Sequence, residues 1–262
     1  MIPLKDYNPT RTAPVVTLLL IAACVAVYFL VQPTIPDSAV QQVENETCTN
    51  FRFNLENAAI PYEITEGRPL TESEAELLLR AVGCETSETG TDASPGKSVA
   101  LAVLYSMFLH GGFLHLAGNM LYLWVFGNNV EDVQGKAVYL AFYLLSGVAA
   151  TITHVALNRD SPIPIVGASG AIAGVMGAYL VLFPRVPIRS LIMFFLVFLR
   201  DIEARWLLGF WFVSQFFINP NSGVAWAAHV GGFVFGVAGG LFWRARRPPR
   251  PSPRYAYDRP YL

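Results

Sequence analysis

The sequence predicts an all-α membrane protein, built as a bundle of six transmembrane helices with a large extracytoplasmic first loop. Hydrophobic residues make up 53% of the 262 positions and charged residues only 14%, whereas soluble domains carry about 25% charged residues. The charged residues are also clustered, so long stretches carry no charge at all. Such stretches are typical of helices that cross a bilayer, and the length fits a single bundle.

The first apolar run covers residues 13–31, which is long enough for a membrane span of roughly 20 residues. A cleaved signal peptide is the alternative, but no small-x-small cleavage site follows Val31. We therefore predict an uncleaved span 1 after a cytoplasmic N-terminal segment, residues 1–12. Residues 33–97 are polar and rich in Glu, Thr and Ser, so we interpret them as an extracytoplasmic loop with a short helix over 72–82.

The apolar run from 98 to 126 is too long for one span, and Gly111 and Gly112 interrupt it. We predict that 98–109 lies at the membrane interface and that span 2 covers about 113–128. Span 3 is predicted over about 135–157.

Span 4 is predicted from about Ala168 to just before Pro184, which at 1.5 Å per residue is only about 24 Å. Such a helix does not fill the bilayer, so one end must begin below the surface. The preceding residues, 163–166, are apolar and non-helical, as expected of chain that dips into a protein-lined cavity.

Two short apolar runs follow, separated by the charged stretch 200–205. We predict span 5 over 206–218 and interpret 190–199 as a membrane-associated loop. Span 6 is predicted over 224–243, which closes the membrane domain 13–243. The Arg- and Pro-rich residues 244–262 are predicted to form a disordered, basic cytoplasmic tail.

The distribution of Lys and Arg favours both termini in the cytoplasm, because the segments that this topology places inside hold most of them. The loop 33–97 then lies outside, where an oxidising compartment would allow Cys48 and Cys84 to form a disulfide. Two unpaired thiols are the alternative. A bacterial inner membrane is the expected location.

Polar side chains inside predicted spans are functional candidates, because burying them in a bilayer costs free energy. Four stand out: His115 and Asn119 in span 2, Ser169 at the start of span 4, and His229 near the start of span 6. All four lie within about two turns of the outer ends of their spans. His115 and Asn119 are four residues apart, so they project from one side of a helix. His154, in span 3, fits no such site and is interpreted as an ordinary boundary residue.

A serine hydroxyl beside a histidine is the arrangement that activates a nucleophile. Ser169 sits in Gly167-Ala-Ser-Gly170, which lacks the second glycine of the α/β-hydrolase elbow because residue 171 is Ala. Small residues continue every four positions after Ser169 and also after His229, at Gly232, and such faces let two helices approach closely. A transporter or channel with a polar site, or a protein that only binds transmembrane partners, is the alternative. The sequence has no His-Glu-x-x-His pattern and no clustered Cys, so no metal site is predicted.

Taken together, these residues resemble the rhomboid family of intramembrane serine proteases. The resemblance rests on His110-Gly-Gly-Phe-Leu-His115-Leu-Ala-Gly-Asn119, Gly167-Ala-Ser169-Gly170 and Ala228-His229-Val-Gly-Gly232, with Glu131-Asp132 and Gly135 after span 2. It covers residues 98–243 and implies a six-helix rhomboid bundle. It also implies an endopeptidase that cleaves transmembrane segments of other proteins near their extracytoplasmic ends.

The resemblance implies a role for each matched residue. Ser169 is expected to be the nucleophile and His229 the general base, without an acidic third member. The backbone N–H of Ser169 and the side chains of His115 and Asn119 are expected to form the oxyanion hole. His110 is expected to tie the first loop to span 2, while Gly167, Gly170 and Gly232 are expected to be structural. Neither a cofactor, a metal nor a nucleic acid is expected; the partners are the bilayer and membrane-protein substrates. Span 5 and the uncharged, Gly- and Pro-containing cap over 219–223 are the expected gate.

The sequence departs from the family pattern at two places. A Trp-Arg pair that many members carry before span 2 is replaced by Ala100-Leu101-Ala102-Val103. The tyrosine that some members place one turn after the nucleophile, where it stacks on the base, is Ala173 here. The residue that orients the His229 ring is therefore unidentified from the sequence.

Overall fold

The computed structural model describes residues 1–33, 40–84, 96–193, 197–219 and 223–246, and most of them are helical. Side chains are described from residue 48 onward in the second helix. In chain order the elements are β1 (Ile2–Asp6), α1 (Val15–Leu30), α2 (Val40–Asn57), α3 (Pro61–Glu66), α4 (Glu72–Ala81), α5 (Val99–Ser106), α6 (Phe113–Gln134), α7 (Lys136–Leu157), α8 (Ser169–Leu182), β2 (Pro187–Met193), β3 (Val197–Glu203), α9 (Ala204–Ser214), a 3₁₀ turn (Gln215–Phe217) and α10 (Trp226–Arg246).

The six predicted spans correspond to α1, α6, α7, α8, α9 and α10, and most helix ends lie within a few residues of the prediction. Helix α6 is longer than predicted because it continues to Gln134 and ends only at Gly135, whose φ of 81° breaks the helix. Helix α10 continues to Arg246, so the first residues of the predicted disordered tail are helical; residues 247–262 lie outside the described part of the chain.

Two of the described helices, α7 and α10, are long and apolar enough to cross a membrane, with mean hydropathies of 1.7 and 1.3. Helices α1 and α8 are apolar but shorter. The number of spans therefore stays a prediction.

The prediction of an all-α fold was incomplete, because three strands form an antiparallel sheet in the order β1-β2-β3. Residues 190–199, predicted to be a membrane-associated loop, fall mostly in β2 and β3, which pair from Pro187↔Glu203 to Met193↔Val197. Residues 194–196 lie outside the described residues. Side chains of β2 alternate toward the core, with Ile188 and Ser190 fully buried. The predicted N-terminal segment supplies β1, which pairs with β2.

The described part of the predicted first loop, residues 40–84, holds three helices, where the sequence indicated only one, α4. Cys48 of α2 and Cys84, just after α4, form a disulfide. Apolar residues Leu55, Ile60, Leu70 and Leu79 pack beside it. Lys97, just before α5, reaches the buried Glu63 of α3 at 2.6 Å, and burial lowers the pKa of Lys97. We call residues 48–84 the disulfide-linked unit.

Ala59 links the disulfide-linked unit to the segment that leads into α8. The Ala59 N–H donates to Oγ of Ser106 at 2.7 Å, and its carbonyl oxygen accepts from the Ile165 N–H at 2.8 Å. Ile165 belongs to the non-helical segment that leads into α8. The unit therefore holds that segment in place.

Glu131 and Asp132, near the end of α6, hold the start of α1. The Glu131 carboxylate accepts from the backbone N–H groups of Val16 and Thr17, at 3.0 and 2.8 Å. Asp132 accepts from the backbone N–H groups of Arg11 and Thr12. A helix start has unpaired N–H groups, and here Glu131 satisfies two of them while Asp132 holds the chain just before the helix.

Candidate active site

Ser169 is the first residue of α8, and the chain reaches it through Gly167, whose φ of 122° favours glycine. The Gly167 N–H donates to the carbonyl oxygen of Ser106 at 2.9 Å, which anchors the turn on the end of α5. At the start of a helix the backbone N–H of Ser169 has no partner within the helix. The turn thus presents both a hydroxyl and a free N–H.

His229, in the first turn of α10, faces Ser169. Its Nε2 lies 2.8 Å from Oγ of Ser169, although the two residues are 60 positions apart in the sequence. Both side chains are half-buried. The distance is that of a hydrogen bond, which is the geometry required for a histidine to accept a serine proton.

The contact between Ser169 and His229 depends on glycines where α8 meets α10. A Cβ added to Gly232 would lie 2.0 Å from the carbonyl oxygen of Gly170, and one added to Gly236 would lie 1.9 Å from that of Gly174. The close approach that the spacing of small residues predicted is therefore present. Gly170 also faces α7, where its Cβ would meet that of Ala150 at 2.6 Å.

His115, in the first turn of α6, lies beside Gly167, in the turn that leads to Ser169. A Cβ at Gly167 would lie 2.8 Å from Cε1 and 3.0 Å from Nε2 of His115, and 3.6 Å from Oγ of Ser169. The Gly111 N–H points at Nδ1 of His115 at 3.3 Å, so Nδ1 accepts and the proton of the neutral ring sits on Nε2. That proton is directed toward the Gly167 turn.

Asn119, one turn later on α6, is 7% exposed. Its Nδ2 donates one hydrogen to the carbonyl oxygen of His115 at 3.0 Å. An amide nitrogen carries two hydrogens, so the second remains to be donated. His115 and Asn119 therefore present two donors from the same face of α6, as their spacing predicted.

These side chains line one cavity of about 900 Å³. His154, in the last turn of α7, also lines it, which the interpretation of His154 as an ordinary boundary residue did not anticipate. Among the described residues that line the cavity, none is Asp or Glu. Groups of three or more His, Cys, Asp or Glu that could hold a metal are likewise not found in the described residues.

Two side chains contact the His229 ring from the α9 segment, the name used here for α9 and the 3₁₀ turn after it, and neither was predicted from the sequence. Oε1 of Gln215 lies 2.7 Å from Nδ1 of His229. The Trp211 ring lies 5.8 Å from the imidazole, centroid to centroid, at an interplanar angle of 40°. Gln215 is the only amide between 206 and 218. The same rule that selected the other polar residues in spans would therefore have found it.

Comparison with known proteins identifies the family. The family model described as the rhomboid domain matches residues 98–246, more than half of the chain and all four residues around the cavity predicted to act in catalysis. This chain belongs to the rhomboid family. It is accordingly an integral membrane protein.

Several relatives share this rhomboid domain. The mitochondrial presenilin-associated rhomboid-like protein of Bos taurus is 32% identical over 172 residues, covering 60% of this chain and 43% of the relative. The mitochondrial Rhomboid protein 1 of Saccharomyces cerevisiae is 29% identical over 151 residues, covering 54% and 41%. Rhomboid protease GluP of Bacillus subtilis is 42% identical over 78 residues, covering 30% and 15%.

The chain thus spans less than half the length of the curated relatives it matches. Two of these rhomboids are named as mitochondrial and one is bacterial. They do not support the bacterial inner membrane that was expected from the sequence.

His110 lies in this rhomboid domain, just before α6, and is 2% exposed. Its backbone N–H donates to Oε1 of Gln32 at 2.9 Å, and its carbonyl oxygen accepts from Nε2 of Gln32 at 3.0 Å. Gln32 follows α1, so His110 is tied to the end of α1 and not to the disulfide-linked unit. The His110 and His115 rings lie 5.3 Å apart in an edge-on contact.

Proposed function

We propose that this rhomboid is an intramembrane serine endopeptidase that cleaves transmembrane segments near their extracytoplasmic ends. The observation that carries the proposal is the 2.8 Å contact between Oγ of Ser169 and Nε2 of His229. Membership of a family that includes a protein named as a protease supports it.

Ser169 and His229 form the catalytic dyad. Oγ of Ser169 attacks the scissile carbonyl carbon while its proton moves to Nε2 of His229. The protonated ring then gives that proton to the leaving amine, and the peptide bond breaks to leave an ester on Ser169. A water molecule, deprotonated by the same ring, hydrolyses the ester and restores the hydroxyl.

Three donors surround the position where the oxyanion forms. They are the backbone N–H of Ser169 at the start of α8, the Nε2–H of His115 and the remaining amide hydrogen of Asn119. Such donors stabilise the tetrahedral intermediate more than the substrate, and removing one costs roughly 3–4 kcal/mol in the transition state. Gly167 makes room for the His115 ring among these donors.

The substrate must reach the dyad from the membrane. A transmembrane helix hides its carbonyl groups in internal hydrogen bonds, so it has to unwind before it can be cut. The cavity beside Ser169 takes the unwound stretch and the water. In this proposal α9 is the gate, residues 33–97 lie outside, and both termini lie in the cytoplasm.

Cleavage by purified protein in lipid vesicles tests the activity. A model transmembrane substrate is incubated with the wild type, Ser169→Ala and His229→Ala. Ser146→Ala is a matched control, because Ser146 is a buried serine whose hydroxyl bonds to the carbonyl oxygen of Phe142 in its own helix. We expect cleavage and fluorophosphonate labelling only in the wild type and the control.

Equal cleavage by wild type and Ser169→Ala would contradict the protease and favour a membrane protein that only binds its partners. The topology is tested separately with single-cysteine variants of a cysteine-free protein in intact cells. A membrane-impermeant maleimide is expected to label residue 72 and to leave residue 254 unlabelled until the membrane is opened.

A further inference from the structure

We propose that Gln215 is a positioning residue that holds the base, His229, in the tautomer able to accept the Ser169 proton. The dyad would then work as a Ser-His-Gln triad whose third member comes from the α9 segment. This inference rests on the proposed protease function and assigns a residue that the dyad alone leaves out.

Gln215 is placed to form a hydrogen bond with the His229 ring. Gln215 begins the 3₁₀ turn after α9 and is 4% exposed. Its Oε1 lies 2.7 Å from Nδ1 of His229, on the side of the ring away from Ser169. A buried amide is costly unless its polar atoms are paired, so its orientation is determined by its partners.

The amide nitrogen of Gln215 settles which atom faces the ring. Nε2 donates to the carbonyl oxygen of Trp211 at 3.0 Å and approaches Oγ of Ser214 at 3.4 Å. Rotating the amide by 180° would place its oxygen against the Trp211 carbonyl, where two acceptors would repel each other. Oε1 therefore faces His229 and can only accept.

An acceptor at Nδ1 decides the tautomer. A neutral imidazole carries one proton, and the contact with Oε1 of Gln215 requires that proton on Nδ1. Nε2 then has a free electron pair, and it is this atom that lies 2.8 Å from Oγ of Ser169. When Nε2 takes the serine proton, the Oε1 dipole also stabilises the charged ring.

Trp211, in α9, also contacts the His229 ring. It precedes Gln215 by one turn, and its ring lies 5.8 Å from the imidazole. Since position 173 is alanine, the aromatic contact comes from α9 and not from α8. Among the described residues lining the cavity there is no carboxylate to take the place of Gln215.

This arrangement links the base to the gate. The Ser169–His229 distance depends on the glycine contacts of α8 and α10, whereas the tautomer of His229 depends on α9. Outward movement of α9 would remove Gln215 and Trp211 from the ring without separating Ser169 from His229. The base is therefore competent only while the α9 segment is seated against α10.

Three variants test the role in the full-length protein in vesicles. Gln215→Leu removes the acceptor at similar size, Gln215→Glu keeps an acceptor, and Gln134→Leu makes the same change at the far end of α6. We expect Gln215→Leu to lower kcat about 10- to 100-fold with little change in KM. The loss is smaller than the about 10⁴-fold cost of replacing the acid of a serine-protease triad, because an amide carries no charge.

The Glu variant is expected to stay within about 5-fold of the wild-type kcat, since an acceptor restores the tautomer. Gln134→Leu is expected to match the wild type. Nitrogen-15 spectra of labelled histidine, compared with those of His229→Ala, are expected to show the Nδ1-protonated ring in the wild type and not in Gln215→Leu. The wild-type spectrum by itself tests the tautomer, so this part of the test does not depend on the stability of Gln215→Leu.

Wild-type kcat in Gln215→Leu, an equal loss in the Leu and Glu variants, or an Nε2-protonated His229 in the wild type would each overturn the positioning role. Those results leave the dyad intact, because wild-type cleavage that depends on Ser169 is measured in the same series. Absence of cleavage by the wild type would instead overturn the proposed function, and the triad with it.

Discussion

Gly232 of α10 lies so close to Gly170 of α8 that a methyl group at position 232 would be 2.0 Å from the Gly170 carbonyl oxygen. Gly170 follows Ser169 directly, and Gly232 is three residues after His229. The backbone contact between the two helices is therefore what sets the distance between the hydroxyl and the ring.

We predict that Gly232→Ala lowers both stability and activity. The new methyl group overlaps backbone, which cannot rotate away, so α8 and α10 must separate at a cost of about 1–3 kcal/mol. Gly209→Ala is the control, because a Cβ there meets nothing within 4 Å. Thermal unfolding in detergent and fluorophosphonate labelling of Ser169 measure the two effects. Unchanged labelling in Gly232→Ala would show that the glycine contact does not set the dyad.

Gly167→Ala is predicted to abolish most activity while the protein still folds. Alanine is strained at a φ of 122°, and its methyl group would lie 2.8 Å from Cε1 of His115. Gly135→Ala separates the two causes, because Gly135 has a φ of 81° but open space around it. Both variants should lose about 1–2 kcal/mol of stability.

Only Gly167→Ala is expected to lose catalysis, because only there does the methyl group displace the His115 donor. The kcat values of the two variants, compared at temperatures where both are folded, check this. Similar kcat values would mean that the His115 position does not matter.

The disulfide is predicted to stabilise the unit that it closes. Cys48 and Cys84 are 36 residues apart, a separation for which a disulfide contributes about 3–4 kcal/mol. The double variant Cys48→Ser/Cys84→Ser should unfold locally, seen as faster hydrogen exchange in α3 and α4. Cys24→Ala, which removes the buried free cysteine, is the control.

Thiol counting checks the bond itself. In denatured, unreduced protein we expect a maleimide reagent to modify Cys24 alone, and after reduction all 3 cysteines. Three reactive thiols before reduction would contradict the disulfide.

Asp6 is predicted to make stability depend on pH. Burial raises the pKa of the Asp6 carboxyl to about 6, although Tyr179 and Asn129 both donate hydrogen bonds to it. The folded protein therefore binds this proton more tightly than the unfolded chain, whose aspartates titrate near 3.9. The stabilising effect is complete below pH of about 4 and is lost as the pH rises through about 6.

The loss amounts to at most about 3 kcal/mol by the conversion of 1.36 kcal/mol per pKa unit. We expect Asp6→Asn to remove this part of the pH dependence, because the amide keeps an oxygen acceptor without the charge. Asp160→Asn, at an exposed position, is the control. Unfolding temperatures between pH 4 and 8 measure the effect. Parallel curves for the wild type and Asp6→Asn would refute it.

Elements formed by local patterns were predictable. The apolar runs located the helices, and glycines or prolines beside those runs indicated where several helices end. Both signals are local because helix formation depends on neighbouring residues. Strand β1 was missed for the opposite reason: its partner strand, Pro187–Met193, is far from it in the sequence. Helices α2 and α3 were missed because they are polar and contain no apolar run long enough for a membrane span.

The candidate site divides in the same way. The sequence by itself determined that His115, Asn119, Ser169 and His229 are polar groups in apolar helices, and helical spacing determined that the first two share a face. Tertiary structure alone decided that Nε2 of His229 lies 2.8 Å from Oγ of Ser169, that Gln215 contacts the other side of the ring, and that His154 lines the cavity. The physical reason is that periodicity describes one helix at a time, whereas distances between helices are set by side-chain volume where they touch, here by Gly170 and Gly232.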